Sequence, residues 1–209
     1  MITKFALFTL LFTAWVALQA KEPKGPVLLF DGKTFKGWSG DTTKSFRIED
    51  GAIVGGSLTA KVPRNEFLTF AKSYKNFVLR LKVKLLGKGA NAGIQVRSQR
   101  IPDHHEMIGY QADMGQQYWG CLYDESRRRK VIAQADSKVI PKVVKQSEWN
   151  IYEIRCEGPR VRLKINGVQT IDYTEMDKSL EQDGLIGLQI HSGPPSEAWY
   201  KDITIEELP

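Results

Sequence analysis

The sequence predicts an all-β protein, a two-sheet antiparallel β-sandwich of the jelly-roll kind. Three observations carry that expectation: hydrophobicity alternates with a period of two, glycine and proline fall between the alternating runs, and helical windows are few and short. In residues 76–85, Phe77, Leu79, Leu81, Val83 and Leu85 alternate with Val78, Arg80, Lys82 and Lys84, the signature of a half-buried antiparallel strand. Tyr152, Ile154 and Cys156 alternate with Glu153, Arg155 and Glu157. After Gly158 and Pro159, Val161, Leu163 and Ile165 alternate with Arg160, Arg162 and Lys164. Asn166–Gly167 tolerates positive φ at both positions, so the chain turns there and returns over 168–173. Further strands are expected at 45–49, 52–54, 92–98, 108–114, 118–123, 185–191 and 199–206, with a short helix-like window at 175–180. Ten or more short strands in roughly 190 residues require two packed sheets.

The first twenty residues are not read as fold. Lys4 precedes an apolar run over 5–16, and small residues lead to Ala20, the layout of a secretory signal peptide, with an uncleaved N-terminal anchor helix as the alternative. No second stretch is apolar enough to span a membrane, so residues 21–209 are expected as one exported domain, periplasmic or secreted. The chain holds 30 Lys and Arg against 24 Asp and Glu, a formal net charge of +6. The charges are dispersed apart from the run 127–130, and dispersion together with export argues against a nucleic-acid partner. Cys121 and Cys156 are bound for an oxidising compartment, where a disulfide and two free buried thiols both remain open. Neither a Cys-x-x-Cys nor a His-Glu-x-x-His metal signature occurs.

Strand parity locates candidate site residues. Ile94 and Val96 share one face of their strand, leaving Gln95 and Arg97 on the other. Tyr110, Ala112 and Met114 oppose Gln111 and Asp113, and Ile186, Leu188 and Ile190 oppose Gln189 and His191. Trp119, Tyr123 and Glu125 share a parity in the segment between them. Amides, a guanidinium, carboxylates and flat aromatics are the side chains that hold vicinal hydroxyls and the C–H face of a sugar ring. His104–His105–Glu106 reads as a polar loop at the rim of the sandwich, since adjacent residues of an extended segment point apart.

A series of short segments begins with Leu28–Leu29–Phe30–Asp31–Gly32–Lys33 and Gly37–Trp38, then Phe46–Arg47–Ile48–Glu49–Asp50–Gly51 and Tyr74–Lys75–Asn76–Phe77–Val78–Leu79. Asn91–Ala92–Gly93–Ile94, Gly109–Tyr110–Gln111, Glu148–Trp149–Asn150 and Ile165–Asn166–Gly167 follow, then Gly187–Leu188–Gln189–Ile190–His191 and Lys201–Asp202–Ile203. In collinear order along nearly the whole chain after residue 20, they resemble the segments of the 3-keto-disaccharide hydrolase domain family. The resemblance implies a concanavalin A-like jelly roll and cleavage of 3-keto-glycosides, the sugar having first been oxidised at C3 by a separate sugar 3-dehydrogenase. A C3 ketone acidifies the C2 proton, so a base removes it, the C1 substituent leaves by β-elimination and water adds afterwards.

Such a site needs a general base, a stabiliser for the enolate and an acid for the leaving oxygen. On that reading Asp113 or His191 accepts the proton and Glu125 is the acid. Gln95, Arg97, Gln111 and Gln189 bind hydroxyls or polarise the ketone, and Tyr110, Trp119 and Tyr123 line the site. A divalent cation is a conceivable enolate stabiliser, without a ligand motif to support it. Two residues depart from the family pattern. Gln111 stands where a glutamate is common and Ile190 where an aspartate is common, which makes a non-catalytic carbohydrate-binding or cell-surface module the alternative.

Overall fold

The structure is a computed structural model that describes residues 25–209, so the expected signal peptide lies outside the described residues. Fifteen strands follow one another with little helix between them. The first eight are β1 (Val27–Leu28), β2 (Trp38–Ser39), β3 (Phe46–Glu49), β4 (Ala52–Ser57), β5 (Glu66–Phe70), β6 (Phe77–Leu86), β7 (Ala92–Arg100) and β8 (Met107–Met114). The rest are β9 (Leu122–Glu125), β10 (Lys130–Ala133), β11 (Asn150–Glu157), β12 (Arg160–Ile165), β13 (Val168–Thr174), β14 (Leu185–Ile190) and β15 (Ser196–Glu207). Sheet A runs β13-β12-β11-β6-β15-β4-β3, with β1 on β15, and sheet B runs β10-β9-β8-β7-β14-β5-β2. Every pairing between these strands is antiparallel. Each sheet joins strands distant in sequence, the crossed connectivity of a jelly roll.

The period-two residues do what alternation requires. Leu79, Leu81 and Phe77 of β6 stand opposite Ile154, Tyr152 and Cys156 of β11, all buried between the sheets. Ile94, Ala112, Leu188 and Ile190 of sheet B face them across the same core. Two tyrosines cross that core and tie the layers together. Tyr152 Oη, from sheet A, donates to the carbonyl of Asp113 at 3.1 Å, and Tyr200 Oη donates to the carbonyl of Gln189 at 2.5 Å. Buried hydroxyls need such partners, and here the partners are backbone atoms directly beneath the candidate site.

Two expectations are corrected. The segment 118–123 is a short 3-10 turn (Gln116–Tyr118) followed by strand only from Leu122, because Gly115 (φ 116°) and Gly120 (φ 73°) break the extended chain. Residues 175–180 are not helical, since the Glu175 and Asp177 side chains accept the backbone N–H groups of Asp177 and Ser179 in place of helical carbonyls. The one α-helix among the described residues is Ile140–Val143. Both cysteines are free and buried. The basic run at 127–130 is partly internal: Arg127 and Arg128 both hold the fully buried Asp124, and Arg128 also bonds Glu175. Among the described residues no helix is long and apolar enough to cross a membrane.

Candidate active site

The site is built on the outer face of sheet B, the face turned away from the core. Beyond Val96 the β7–β8 hairpin leaves the plane of the sheet. Arg97 adopts φ 48°, Gly109 adopts φ 145°, and the ladder register slips between Val96 and Gln99. A side chain at Gly109 would have its Cβ 2.3 Å from Ser98 Oγ, so this bend needs glycine for space as well as for φ. The end of the hairpin then lies back across β14 and β5. Arg100 donates to the carbonyl of Phe67 at 2.6 Å, and His105 Nδ1 meets the carbonyl of Asn65 at 2.9 Å. Asn65 Nδ2 donates to Glu106 Oε1 at 3.1 Å, and Met107 packs onto Gly187, where a Cβ would lie 2.7 Å from its sulfur. Under this cover Gln95, Gln189 and Phe67 are fully buried on a face that parity alone would leave in water.

Beside the covered patch a cavity of about 240 Å³ opens. Its lining brings together Gln111 and Asp113 from β8, Tyr123 and Glu125 from β9 and His191 just past β14, with Asn91 and Tyr118. Asp113 is 4% exposed. Gln111 Nε2 donates to its Oδ1 at 2.6 Å, Gln95 Nε2 donates to Gln111 Oε1 at 2.7 Å, and Ser98 Oγ donates to Gln95 Oε1 at 2.6 Å. The Gln111 side chain lies flat over Gly93, where a Cβ would come within 2.5 Å of it. Gln189 Nε2 reaches Glu125 Oε2 at 3.4 Å, and the backbone N–H of Ser126 donates to Glu125 Oε1 at 3.2 Å. His191 is placed by its own N–H on the carbonyl of Asn91, 3.1 Å. Its Nδ1 lies 2.7 Å from the carbonyl of Ser192, which can only accept, so Nδ1 carries a hydrogen and the neutral ring keeps its lone pair on Nε2.

Burial dominates the electrostatics. It pushes the Asp113 carboxyl up to about 8; the Gln111 hydrogen bond works against that rise and the Glu125 charge adds to it. Glu125 rises to about 7, first through burial and then through the neighbouring Glu106. Tyr123 is raised by burial and by the same two carboxyls, so its hydroxyl keeps its proton. No lysine or arginine lines the cavity. At neutral pH the arrangement therefore offers a protonated carboxylic acid, a second carboxyl near its midpoint, an imidazole and two tyrosyl hydroxyls. That set can donate and accept protons at neutral pH and can hydrogen-bond to a bound molecule.

Of the residues expected from the sequence, Asp113, Gln111, Glu125, Tyr123 and His191 meet at this cavity, and Gln95 and Gln189 support it from the covered side. Three do not. The bulge turns Arg97 away, to donate to the carbonyls of Lys75 and Gly158 and to Gln182. Tyr110 faces the core and donates to Glu175 Oε2 at 2.8 Å, while Trp119, freed from the expected strand by Gly120, packs in the core. Strand parity does not reach Asn91 and Tyr118. Asn91 stands just before β7, in a motif that carries no role for it, and Tyr118 ends a 3-10 turn where a strand is expected. Among the described residues no group of three or more histidine, cysteine, aspartate or glutamate side chains is arranged to hold a metal ion.

Several solved proteins share this two-sheet sandwich. One from Parabacteroides distasonis, provisionally assigned as a glycosyl hydrolase, superposes with a TM-score of 0.68 at 20% identity, over 88% of this chain and 94% of that one. A family 66 carbohydrate-binding module from Bacillus subtilis gives 0.64 at 15% identity, over 82% and 96%. The laminarinase catalytic domain of Thermotoga maritima gives 0.59 at 13%, over 90% and 98%. At these identities the likeness is one of fold. The chain belongs to the 3-keto-alpha-glucoside-1,2-lyase-like domain family, whose model matches residues 25–206. A 3-keto-disaccharide hydrolase of Bacteroides thetaiotaomicron is 39% identical over 87 residues, a stretch that spans 38% of this chain and 30% of that relative.

Proposed function

We propose that this protein cleaves 3-keto-glycosides by removing the C2 proton, eliminating the C1 substituent and adding water, for a net hydrolysis. The observation that carries the reading is one cavity in which Asp113 and Glu125, both raised toward neutrality by burial, stand with a histidine whose Nε2 is free to accept a proton. Family membership supports the substrate class.

Burial revises the roles expected from the sequence. A carboxyl titrating near 8 holds its proton at neutral pH, so Asp113 is the acid and His191 the base. His191 Nε2 takes the C2 proton, and the electron pair moves onto the ketone oxygen, where Tyr123 or protonated Glu125 donates to the enolate. The enolate then collapses, the C1–O bond breaks, and the departing oxygen takes the Asp113 proton. Water adds to C1 of the resulting enone, gives one proton to the Asp113 carboxylate and keeps the other in the new C1 hydroxyl, while the imidazolium of His191, its proton exchanged with solvent in the meantime, protonates C2. The reading places the protein outside the cytoplasm and downstream of a separate sugar 3-dehydrogenase, which supplies the ketone.

A proton NMR time course with 3-keto-trehalose or a 3-keto-glucoside in deuterated water tests it. Release of free sugar with deuterium at C2 is the expected result. A binding module on the same sandwich would hold plain and 3-keto sugars alike and transform neither, and that outcome would overturn the proposal.

A further inference from the structure

We propose that Ser98 and Gln95 are positioning residues: with Gln111 they form a buried hydrogen-bond chain of fixed direction that holds Asp113 Oδ1 as an acceptor and leaves Oδ2 to carry the proton into the cavity. The catalytic consequence rests on the function proposed above, whereas the chain itself rests on geometry alone.

The links Ser98 Oγ to Gln95 Oε1, Gln95 Nε2 to Gln111 Oε1, and Gln111 Nε2 to Asp113 Oδ1 measure 2.6, 2.7 and 2.6 Å. Ser98 and Gln95 are fully buried and Gln111, which meets the cavity at one edge, is nearly so, which leaves the links of the chain shielded from bulk water. Each amide has a donor end and an acceptor end, so fixing one end of the chain fixes the other. With a hydroxyl donating at Ser98, the chain must end on a donor, and that donor meets Oδ1. Among the described residues Oδ2 takes no partner, and Asp113 lines the cavity.

The reversed chain is chemically different. Flipping both amides would set Gln111 Oε1 against Oδ1, two acceptors that can adjoin only if the Asp113 proton moves to Oδ1 and points into the protein. Ser98 Oγ would then donate to the carbonyl of Val96 or Tyr110, at 3.0 and 3.3 Å, and accept from Gln95. A proton stored on Oδ1 is withheld from a leaving group in the cavity. The serine hydroxyl and the Gln95 amide thus act on Asp113 from three and two links away, without touching the ligand. Gly93 provides the flat floor on which the middle link lies.

The test is carbon-13 carboxyl NMR of aspartate-labelled protein as a function of pH, with Asp113→Asn to assign the signal, in wild type, Gln95→Met and Ser98→Ala. Loss of the oriented donor should raise the Asp113 midpoint, by about one pH unit in Gln95→Met and less in Ser98→Ala. The alkaline limb of the kcat/KM profile should move with it while KM stays nearly constant. A merely structural role would lower Tm and leave the midpoint where it was, and unmoved midpoints in both folded variants would overturn the proposal. If neither variant folds, the wild type decides. The Gln111 and Gln95 side-chain amide signals should both shift at the Asp113 midpoint, and amides indifferent to that titration would overturn the chain. A shifted midpoint in a protein that consumes no 3-keto-glycoside would sustain the chain and sink the function. Turnover with an unmoved midpoint would do the reverse.

Discussion

On the outer face of sheet A, Arg80, Glu153 and Lys164 stand in water and pair across strands, Arg80 to Glu153 at 2.8 Å and Lys164 to Glu153 at 3.1 Å. On the outer face of sheet B, Gln95, Gln111 and Asp113 occupy the same parity in their strands and are almost wholly buried. Alternation set both rows on non-core faces, yet the first row is ordinary solvated charge and the second holds perturbed carboxyls. The cover makes the difference. On sheet A the cover is limited to a side-chain cluster in which Trp149 packs on Trp199 beside Val54 and Ala52, and the Arg80–Glu153–Lys164 row stays part-exposed, whereas the β7–β8 hairpin bends at Arg97 and Gly109 and lies across sheet B. Removing water from one row is what lifts Asp113 to about 8, while Glu153, between two cations, is held below the usual carboxylate range by its hydrogen bonds to Arg80 and Lys164, although its partial burial works the other way. A polar residue on a sheet face becomes a chemical group when something excludes water from it.

The largest effects should appear where the two faces differ most. Asp113→Asn keeps the shape and the Gln111 contact but removes the transferable proton, and His191→Ala removes the base. Each should lower kcat on a 3-keto-glucoside by about a hundredfold or more. Near-normal turnover in both single variants would remove them from the mechanism and make sheet B as inert as sheet A.

The same burial makes a prediction about stability with a definite sign. Asp113 titrates near 8 folded and near 3.8 unfolded, so between those values the folded state binds the extra proton. Its contribution is fully present below about pH 4, declines as pH rises toward 8 and is constant above that, with a slope on the order of 1 kcal/mol per pH unit. Chemical denaturation of wild type and Asp113→Asn from pH 5 to 9 isolates this contribution, because the difference between the two curves should grow with pH in favour of the variant. A difference independent of pH would mean that the carboxyl is ionised and solvated in the folded protein.

Much of this contrast was legible in the sequence, but unevenly. Alternation in 76–85 and 150–165 gives the strands and their faces but not the pairing of β6 with β11, and Asn166–Gly167 turns as its residue types require, with φ of 49° and 85°. Parity also brought Gln111, Asp113, Glu125 and His191 to one face. It failed at Arg97 and Trp119 because parity assumes an unbroken strand. A bulge at Arg97 and a left-handed Gly120 each reset the direction of the next side chain. The hairpin cover was invisible to periodicity, because it depends on contacts such as Arg100 with Phe67 that span 33 residues. Several motif segments that suggested the family turn out to be scaffold. Asp31 accepts the N–H groups of Lys33 and Thr34, Trp38 Nε1 donates to the carbonyl of Leu29, and Asn150 ties down the loop at Lys145. Those segments identify a fold more directly than they identify a chemistry.

Gly93→Ala probes the floor of the covered face. Its Cβ would fall within 2.5 Å of Gln111 Cγ and Cδ, so either the amide or the backbone of β7 has to move. Overpacking of this kind costs about 1–3 kcal/mol. Because the side chain it displaces carries the donor to Asp113, kcat should fall by about tenfold as well, the size of a lost oriented hydrogen bond. Thermal melting and turnover on one preparation separate the two effects, and a stable variant with full activity would show that Gln111 does not need its present position.

The smallest effect belongs to the open face, and it is the control that gives the others meaning. Glu153→Gln breaks the ion pairs to Arg80 and Lys164 on sheet A. Both cationic side chains are more than two-fifths exposed, so solvent screens the loss and stability should change by no more than about 1 kcal/mol. The residue lies on the opposite side of the core from the cavity, so turnover should be unchanged. Raising the salt concentration should shrink even this small difference, because exposed pairs are screened within about 8–10 Å at physiological ionic strength. A large, salt-insensitive loss in Glu153→Gln would mean that sheet A is also covered, by a partner or a second copy of the chain, and the contrast between an open and a covered face would no longer hold.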